Sequence, residues 1–191
     1  MSTADVSIAH VTVEVRRPAA WRQYLATVTG GHARVVWDDR LRHGALRLRE
    51  GRADDLVLLG LAFPDEAHLQ ATLDRLTASG FAWRDVAPSE GVRRAVRTAD
   101  PSGTPLELLV YAARPPADEG WPIGHVALAH ARQAELEGFY GEVLGFRLNQ
   151  QVTMNLGPID VHGSFLGSAH RHHTVAVFDL PSRSRLHHVF F

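Results

Sequence analysis

Apolar and polar residues alternate over several positions of Val6 to Val15, which predicts a strand at the start of the chain. Pro18 stands where a helix can begin. Ala19 to Val28 then carries Trp21, Leu25 and Val28 on one face before Gly30 and Gly31 stop it. Ala33 to Trp37 and Ala45 to Leu48 read as short strands, and the almost wholly apolar Leu56 to Phe63 reads as a buried one. Asp65 to Ser79 repeats its leucines (Leu69, Leu73, Leu76) at helical spacing and meets Gly80. Val92 to Thr98 and Pro105 to Tyr111 flank the turn at Asp100 to Gly103 and close this half as strands.

After the proline-rich stretch Arg114 to Gly120 the opening pattern returns. Ile123-Gly-His125-Val-Ala-Leu128 echoes Ile8-Ala-His10-Val-Thr-Val13, and a helix over Glu135 to Leu144 ends at Gly145 as the first ended at Gly30. Strands are predicted at Phe146 to Leu148, Val152 to Leu156, Ser164 to Leu166, His173 to Phe178 and from Ser184 onward. The offset of about 115 residues is far longer than a solenoid repeat and points to a duplicated strand–helix–strands unit. The expected organisation is an N-terminal domain over 1–113, a linker over 114–122 and a second domain over 123–191.

Composition changes this picture little. Twenty basic residues nearly cancel twenty-one acidic ones, so charge gives no reason to expect nucleic acid or an anionic membrane as partner. No run approaches the ~18 apolar residues of a membrane span, and Met1 to Val15 has no basic leader, so a cytoplasmic protein is expected. Cysteine is absent, which excludes disulfides, thiolate zinc sites and cysteine nucleophiles. Any metal must be held by nitrogen and oxygen, which favours iron, manganese, zinc or nickel.

Histidine is the exception, with twelve residues, six of them between His162 and His188. On alternating strands His125 shares a face with Ile123 and Ala127, and His188 shares one with Leu186 and Phe190, so both are expected to point inward. Burying an imidazole without partners costs about 1–3 kcal/mol. A metal on one nitrogen and a hydrogen bond on the other meets that need, and so does a core histidine bonded to backbone carbonyls. No short H-x-x-x-H spacing decides between them.

Longer motifs add a resemblance. Ile123-Gly-His125-Val with Phe139-Tyr140-Gly-Glu-Val143-Leu-Gly145-Phe146 resembles the opening of a βαβββ unit of the vicinal oxygen chelate superfamily, and Asp100-Pro-Ser-Gly103-Thr-Pro-Leu-Glu107-Leu resembles its closing turn and strand. The pairing of Arg171-His172-His173-Thr174 with Arg185-Leu-His187-His188-Val189 is similar to the type I extradiol dioxygenases, the group that cleaves dihydroxybiphenyl and related catechols. The resemblance implies an α+β fold of repeated βαβββ units forming open barrel-like sheets, in a two-domain arrangement with the last unit incomplete. It implies Fe(II) as cofactor, an aromatic diol and O2 as substrates, and association into a homo-oligomer. His125 and His188 correspond to two iron ligands and His173 to the acid–base histidine. Ala127 and Phe165 fall at positions lining the aromatic-ring pocket, which the apolar Met154 is expected to share. His172 is expected to face away from His173. His10 and Glu107 hold the equivalent places in the first half, as a vestigial site without metal.

Two departures stand out. Between Leu48 and Phe63 there is room for fewer strands than two whole units require. The glutamate that serves as third ligand in this group, with the tyrosine and further histidine that assist it, falls on a strand not among these residues, so the chain is expected to be a truncated form. Three alternatives remain open: a non-catalytic small-molecule binding protein of the same fold, a zinc or manganese isomerase or transferase, and a fragment that folds but is inactive alone.

Overall fold

The computed structural model of the chain describes residues 5–37, 43–113, 120–168 and 171–191. Most of the expected linker, 114–119, and His170 therefore lie outside the described residues. The first half runs β1 (Ser7–Val15), α1 (Pro18–Thr29), β2 (Val35–Val36), β3 (Ala45–Glu50), β4 (Asp55–Phe63), α2 (Glu66–Ala78), β5 (Arg84–Val86), β6 (Val92–Ala99) and β7 (Pro105–Tyr111). The second runs β8 (His125–Ala129), α3 (Gln133–Gly138), a π-helical turn over Phe139–Val143, β9 (Arg147–Asn155), β10 (Asp160–Gly167), β11 (Val175–Phe178) and β12 (Leu186–Phe190).

These strands form a seven-stranded sheet, β2-β3-β1-β4-β7-β6-β5, and a five-stranded one, β12-β8-β11-β10-β9. The repeated unit is legible in both. β4-α2-β5-β6-β7 and β8-α3-β9-β10-β11 are each βαβββ, with first and last strands parallel neighbours. Among the described residues the first unit has one strand fewer, as the short span before Phe63 predicts. β1 pairs antiparallel with β4 where two units meet, and β12 pairs antiparallel with β8 in the same way. β12 thus meets β8 as β4 meets β1, and it forms the edge of its sheet.

Several elements differ from expectation. The two strands expected at Phe146 to Leu148 and Val152 to Leu156 are replaced by a single one, β9, from Arg147 to Asn155, which runs along β10 with a bulge that the hydropathy pattern shows as a break. The helix expected over Glu135 to Leu144 is α only to Gly138 and then widens, a turn that carries Phe139, Tyr140 and Val143 into the core. The short edge strand β5 carries no periodic apolar signal and went unpredicted. On α1 only Leu25 is buried, while Val28 is exposed. That face looks into a cavity of about 330 Å³ between α1 and β12, whose walls include Trp21, Leu25, Val28, Leu186 and His188.

One continuous apolar core runs through both halves. Leu69, Leu73 and Leu76 of α2 are fully buried in it, and Asp65 caps that helix by accepting from the His68 amide. The buried Tyr140 hydroxyl donates to Asp100 Oδ2 at 3.2 Å, and Arg75 Nε donates to the Val143 carbonyl at 2.7 Å. Beyond the linker, the Arg34 amide donates to the Trp121 carbonyl and the Ile123 amide to that of Gly44. β8 therefore starts from a position fixed against the first sheet.

In the first sheet the fully buried His10 lies with Nε2 2.9 Å from Glu107 Oε2 and Nδ1 3.3 Å from the Thr12 hydroxyl, while Arg97 Nε donates to Glu107 Oε1 at 3.0 Å. Burial holds the His10 imidazole below its ordinary value, outweighing the hydrogen bond to Glu107 that would raise it, and Arg47 and Arg97 add to the lowering. Burial pushes the Glu107 carboxyl up, but His10 and Arg97 outweigh it and the net shift is downward. The pair is a neutral imidazole donating to a carboxylate. Both groups bind protons more readily when unfolded, so their contribution is whole above pH 6.5 and is lost as pH falls, His10 first and Glu107 below 4.5. Urea unfolding followed against pH should show this loss, and His10→Gln should remove the share of His10 from the component that begins near 6.5. Superimposable pH profiles for the two proteins would contradict the assignment.

Candidate metal centre

β8 and the edge strand β12 bring two imidazoles together. His188 is in register with Ala127, next to His125, and a bulge between Leu186 and His188 resets the alternation on β12. The result is a His125 Nε2 to His188 Nε2 separation of 3.1 Å, with the rings nearly perpendicular. His173 lies over the same place, its ring centroid 4.2 Å from that of His125. Phe190 stacks on His125 at 5.0 Å with only 5° between the planes. The three histidines singled out by sequence converge.

Their surroundings are wetter than expected. His188 is exposed and His125 only partly covered, because among the described residues no strand pairs with the outer side of β12. The expectation that both rings point into an apolar interior is corrected accordingly. His173 is not a strand residue either: it lies two positions before β11, in a turn where the Thr174 amide donates to the Leu166 carbonyl. Strand alternation does not apply there, and His172 faces His173, Nδ1 to Nδ1 at 3.0 Å, rather than turning away.

Beyond the histidines the same face of the sheet is apolar. Ala127, Ala176 and Phe165 form one row across β8, β11 and β10, and Phe178 stands in the next. Ala127 and Ala176 are buried, leaving a shallow floor flanked by Phe165, whose ring meets His173 edge-on at 5.0 Å and Phe178 at 5.8 Å. Met154 is in register with Val161, four residues along β10 from Phe165, so it lies ~13 Å from that row and is partly exposed. His187 was not singled out from the sequence. Its Nδ1 lies 2.7 Å from His188 Nδ1, and its only sequence signal was adjacency.

The electrostatics favour uncharged rings. Burial, then like charge from His173, His188 and Arg171, lowers His125 to about 4. Burial and then His187 and His173 lower His188, and burial and then His172 lower His173. Neutral imidazoles keep a lone pair free for a metal. Two nitrogen donors bound side by side on one cation, each about 2.1 Å away, sit about 3 Å apart. The donor pair His125 and His188 fits that requirement. Among the described residues no group of three or more histidine, cysteine or carboxylate side chains is arranged to hold a metal, so the pair is an incomplete ligand set.

The first sheet has a matching arrangement. His10 occupies the place of His125, but Leu58, in register with Thr12, occupies the place of His188. Leucine cannot coordinate, which leaves His10 to the carboxylate of Glu107.

The architecture is shared with solved enzymes: the structure of catechol 2,3-dioxygenase superposes with a TM-score of 0.77 at 22% identity, covering 99% of this chain and 71% of that one. The biphenyl-2,3-diol 1,2-dioxygenase of Paraburkholderia xenovorans is 31% identical over 206 residues, 95% of this chain and 69% of that protein. The iron-dependent extradiol dioxygenase of Rhodococcus jostii is 28% identical over 218 residues, covering 96% and 71%. No protein-family model matches the chain. With its paired βαβββ sheets, the chain belongs to the type I extradiol dioxygenases, ring-cleaving oxidoreductases of the vicinal oxygen chelate superfamily. Neither the sequestering protein nor the isomerase or transferase considered above is favoured by that membership. Among the described residues no helix is long and apolar enough to cross a membrane.

Proposed function

We propose that residues 123–191 carry the catalytic face for extradiol cleavage of a catechol-type ring by O2, with residues 1–113 a metal-free half that supports it. The observation that carries this reading is the convergence of His125 and His188 at 3.1 Å with the His173 ring 4.2 Å from His125. His125 and His188 would hold Fe(II). The resemblance implies a glutamate as third ligand, and Glu107, 2.9 Å from His10, illustrates how a carboxylate on a last strand meets a histidine on a first strand in this fold. Two histidines and a carboxylate on one side of iron leave neighbouring positions open. When bound, Fe(II) lowers the pKa of a coordinated catechol hydroxyl and lets both substrates meet on one centre.

The protein side chains do the rest. The floor of Ala127 and Ala176 accepts an aromatic ring, and Phe165 borders it edge-on. Met154 would meet only a substituent reaching well along the sheet. His173, kept uncharged by burial, can take a proton from the diol hydroxyl and return it as the ring opens. Phe165 on one side and His125 on the other hold its ring over the site. A cytoplasmic location and a homo-oligomeric state are part of the same proposal.

The test is anaerobic titration of the chain with a catechol, with and without Fe(II). Diol binding should strengthen at least tenfold when Fe(II) is present, and that gain should vanish in His125→Ala. Equal binding with and without the metal would overturn the reading.

A further inference from the structure

The first half is metal-free, yet one of its carboxylates reaches the strand that carries His188. Asp55, the first residue of β4, uses Oδ1 to accept from the Ser184 hydroxyl at 2.8 Å and the Arg185 amide at 2.8 Å. The same oxygen also meets the Leu56 amide at 2.8 Å, and the Leu186 amide lies at 3.5 Å. One oxygen of the first sheet thus gathers the three residues that lead into β12.

This anchor falls where β12 most needs one. As an edge strand it is paired only with β8, and its ladder is broken by the bulge between Leu186 and His188. A bulge re-aims the side chains beside it, but its direction holds only if the chain entering it is fixed. From the other side, the Arg185 carbonyl accepts from the Ala129 amide at 2.9 Å, and the Ser184 hydroxyl also contacts the Leu186 carbonyl at 3.1 Å. Residues 184–186 are therefore clamped between β4 and β8, two to four positions before His188. Hydrogen bonds to an ionised carboxylate are about twice as strong as neutral ones, which suits a single residue to this task.

We infer that Asp55 is a positioning residue for the metal centre: by fixing Ser184 and Arg185 it sets the line on which β12 leaves the loop, and so the separation of His188 from His125. The inference rests on the reading that these two imidazoles share a metal. It gives the first half a function in the chemistry of the second, through hydrogen bonds that span about 130 positions of sequence.

Co(II), added under anaerobic conditions, is the probe. Its affinity and its visible absorption are measured on the whole chain for wild type, Asp55→Ala, Asp55→Asn, Ser184→Ala and Asp54→Ala. Residues that orient ligands typically change metal affinity by about 10–100-fold when removed. Asp55→Ala should weaken Co(II) binding at least tenfold and shift the absorption of what still binds. Asn keeps the Oδ1 acceptor, so Asp55→Asn should return affinity to within about threefold of wild type, and Ser184→Ala should lie between. The neighbouring Asp54 accepts instead from Arg16 and Trp21, so Asp54→Ala should bind as wild type does. If Asp55→Ala does not fold, the order of the Asn and Ser184 variants carries the test. Wild-type affinity and spectrum in every folded variant would overturn the inference while leaving the two-histidine site intact. Co(II) binding by the wild type that is unchanged in His125→Ala would instead sink the site itself, and the inference with it.

Discussion

Replacing His173 by Ala is expected to lower turnover of a catechol by about 10²–10⁴-fold while Fe(II) affinity stays within about threefold. The split follows from geometry. His173 reaches the site from the turn before β11, its ring against His125 and Phe165, and it is not one of the two nitrogens facing each other at 3.1 Å. Its loss removes a proton carrier and leaves the donor pair in place. Phe165 and His172 also touch His173, so the cavity left by Ala is bordered by rings that can shift without moving β8 or β12. Oxygen uptake for turnover and anaerobic iron titration for affinity measure the two quantities separately. Equal loss of both would make His173 a third donor instead of an acid–base group.

His188→Ala should do the opposite and abolish metal binding, by at least 100-fold, with little effect on folding. One imidazole cannot hold Fe(II) against water, and the remaining ring of His125 would keep its stacking with Phe190 and its contact with His173. His188 is exposed on an edge strand, so truncating it leaves no buried void, and the midpoint of thermal unfolding should move by no more than a few degrees. His187→Ala is the natural companion: it removes the group at His188 Nδ1, not the donor at Nε2, and should cost about tenfold. Metal retained in His188→Ala would show that the pair does not act together.

The sequence carried the repeat because its signals are local. The Ile8 to Val13 and Ile123 to Leu128 segments look alike since each is a first strand buried on both faces, and Gly30 and Gly145 end their helices with positive φ, where a side chain would be strained. The histidines were legible through their motifs, but their environment was not. Whether His188 is enclosed depends on what pairs with the outer edge of β12, a non-local fact that alternation cannot express. The turn placing His172 against His173 was hidden for a related reason, since strand periodicity was extended two residues past the true start of β11. Met154 looked like a pocket residue on hydropathy alone, and only the register with Val161 shows how far along the sheet it sits. Asp55 gave no signal at all, because an aspartate at a strand start is unremarkable until its partners 184–186 are seen.

All of this depends on one cation bridging two strands. A crystal of the chain loaded anaerobically with Fe(II), measured at the iron absorption edge, gives the answer in a single anomalous difference map. One peak at bonding distance from Nε2 of both rings is the predicted result. A peak on one ring alone, or none between β8 and β12, would contradict the account.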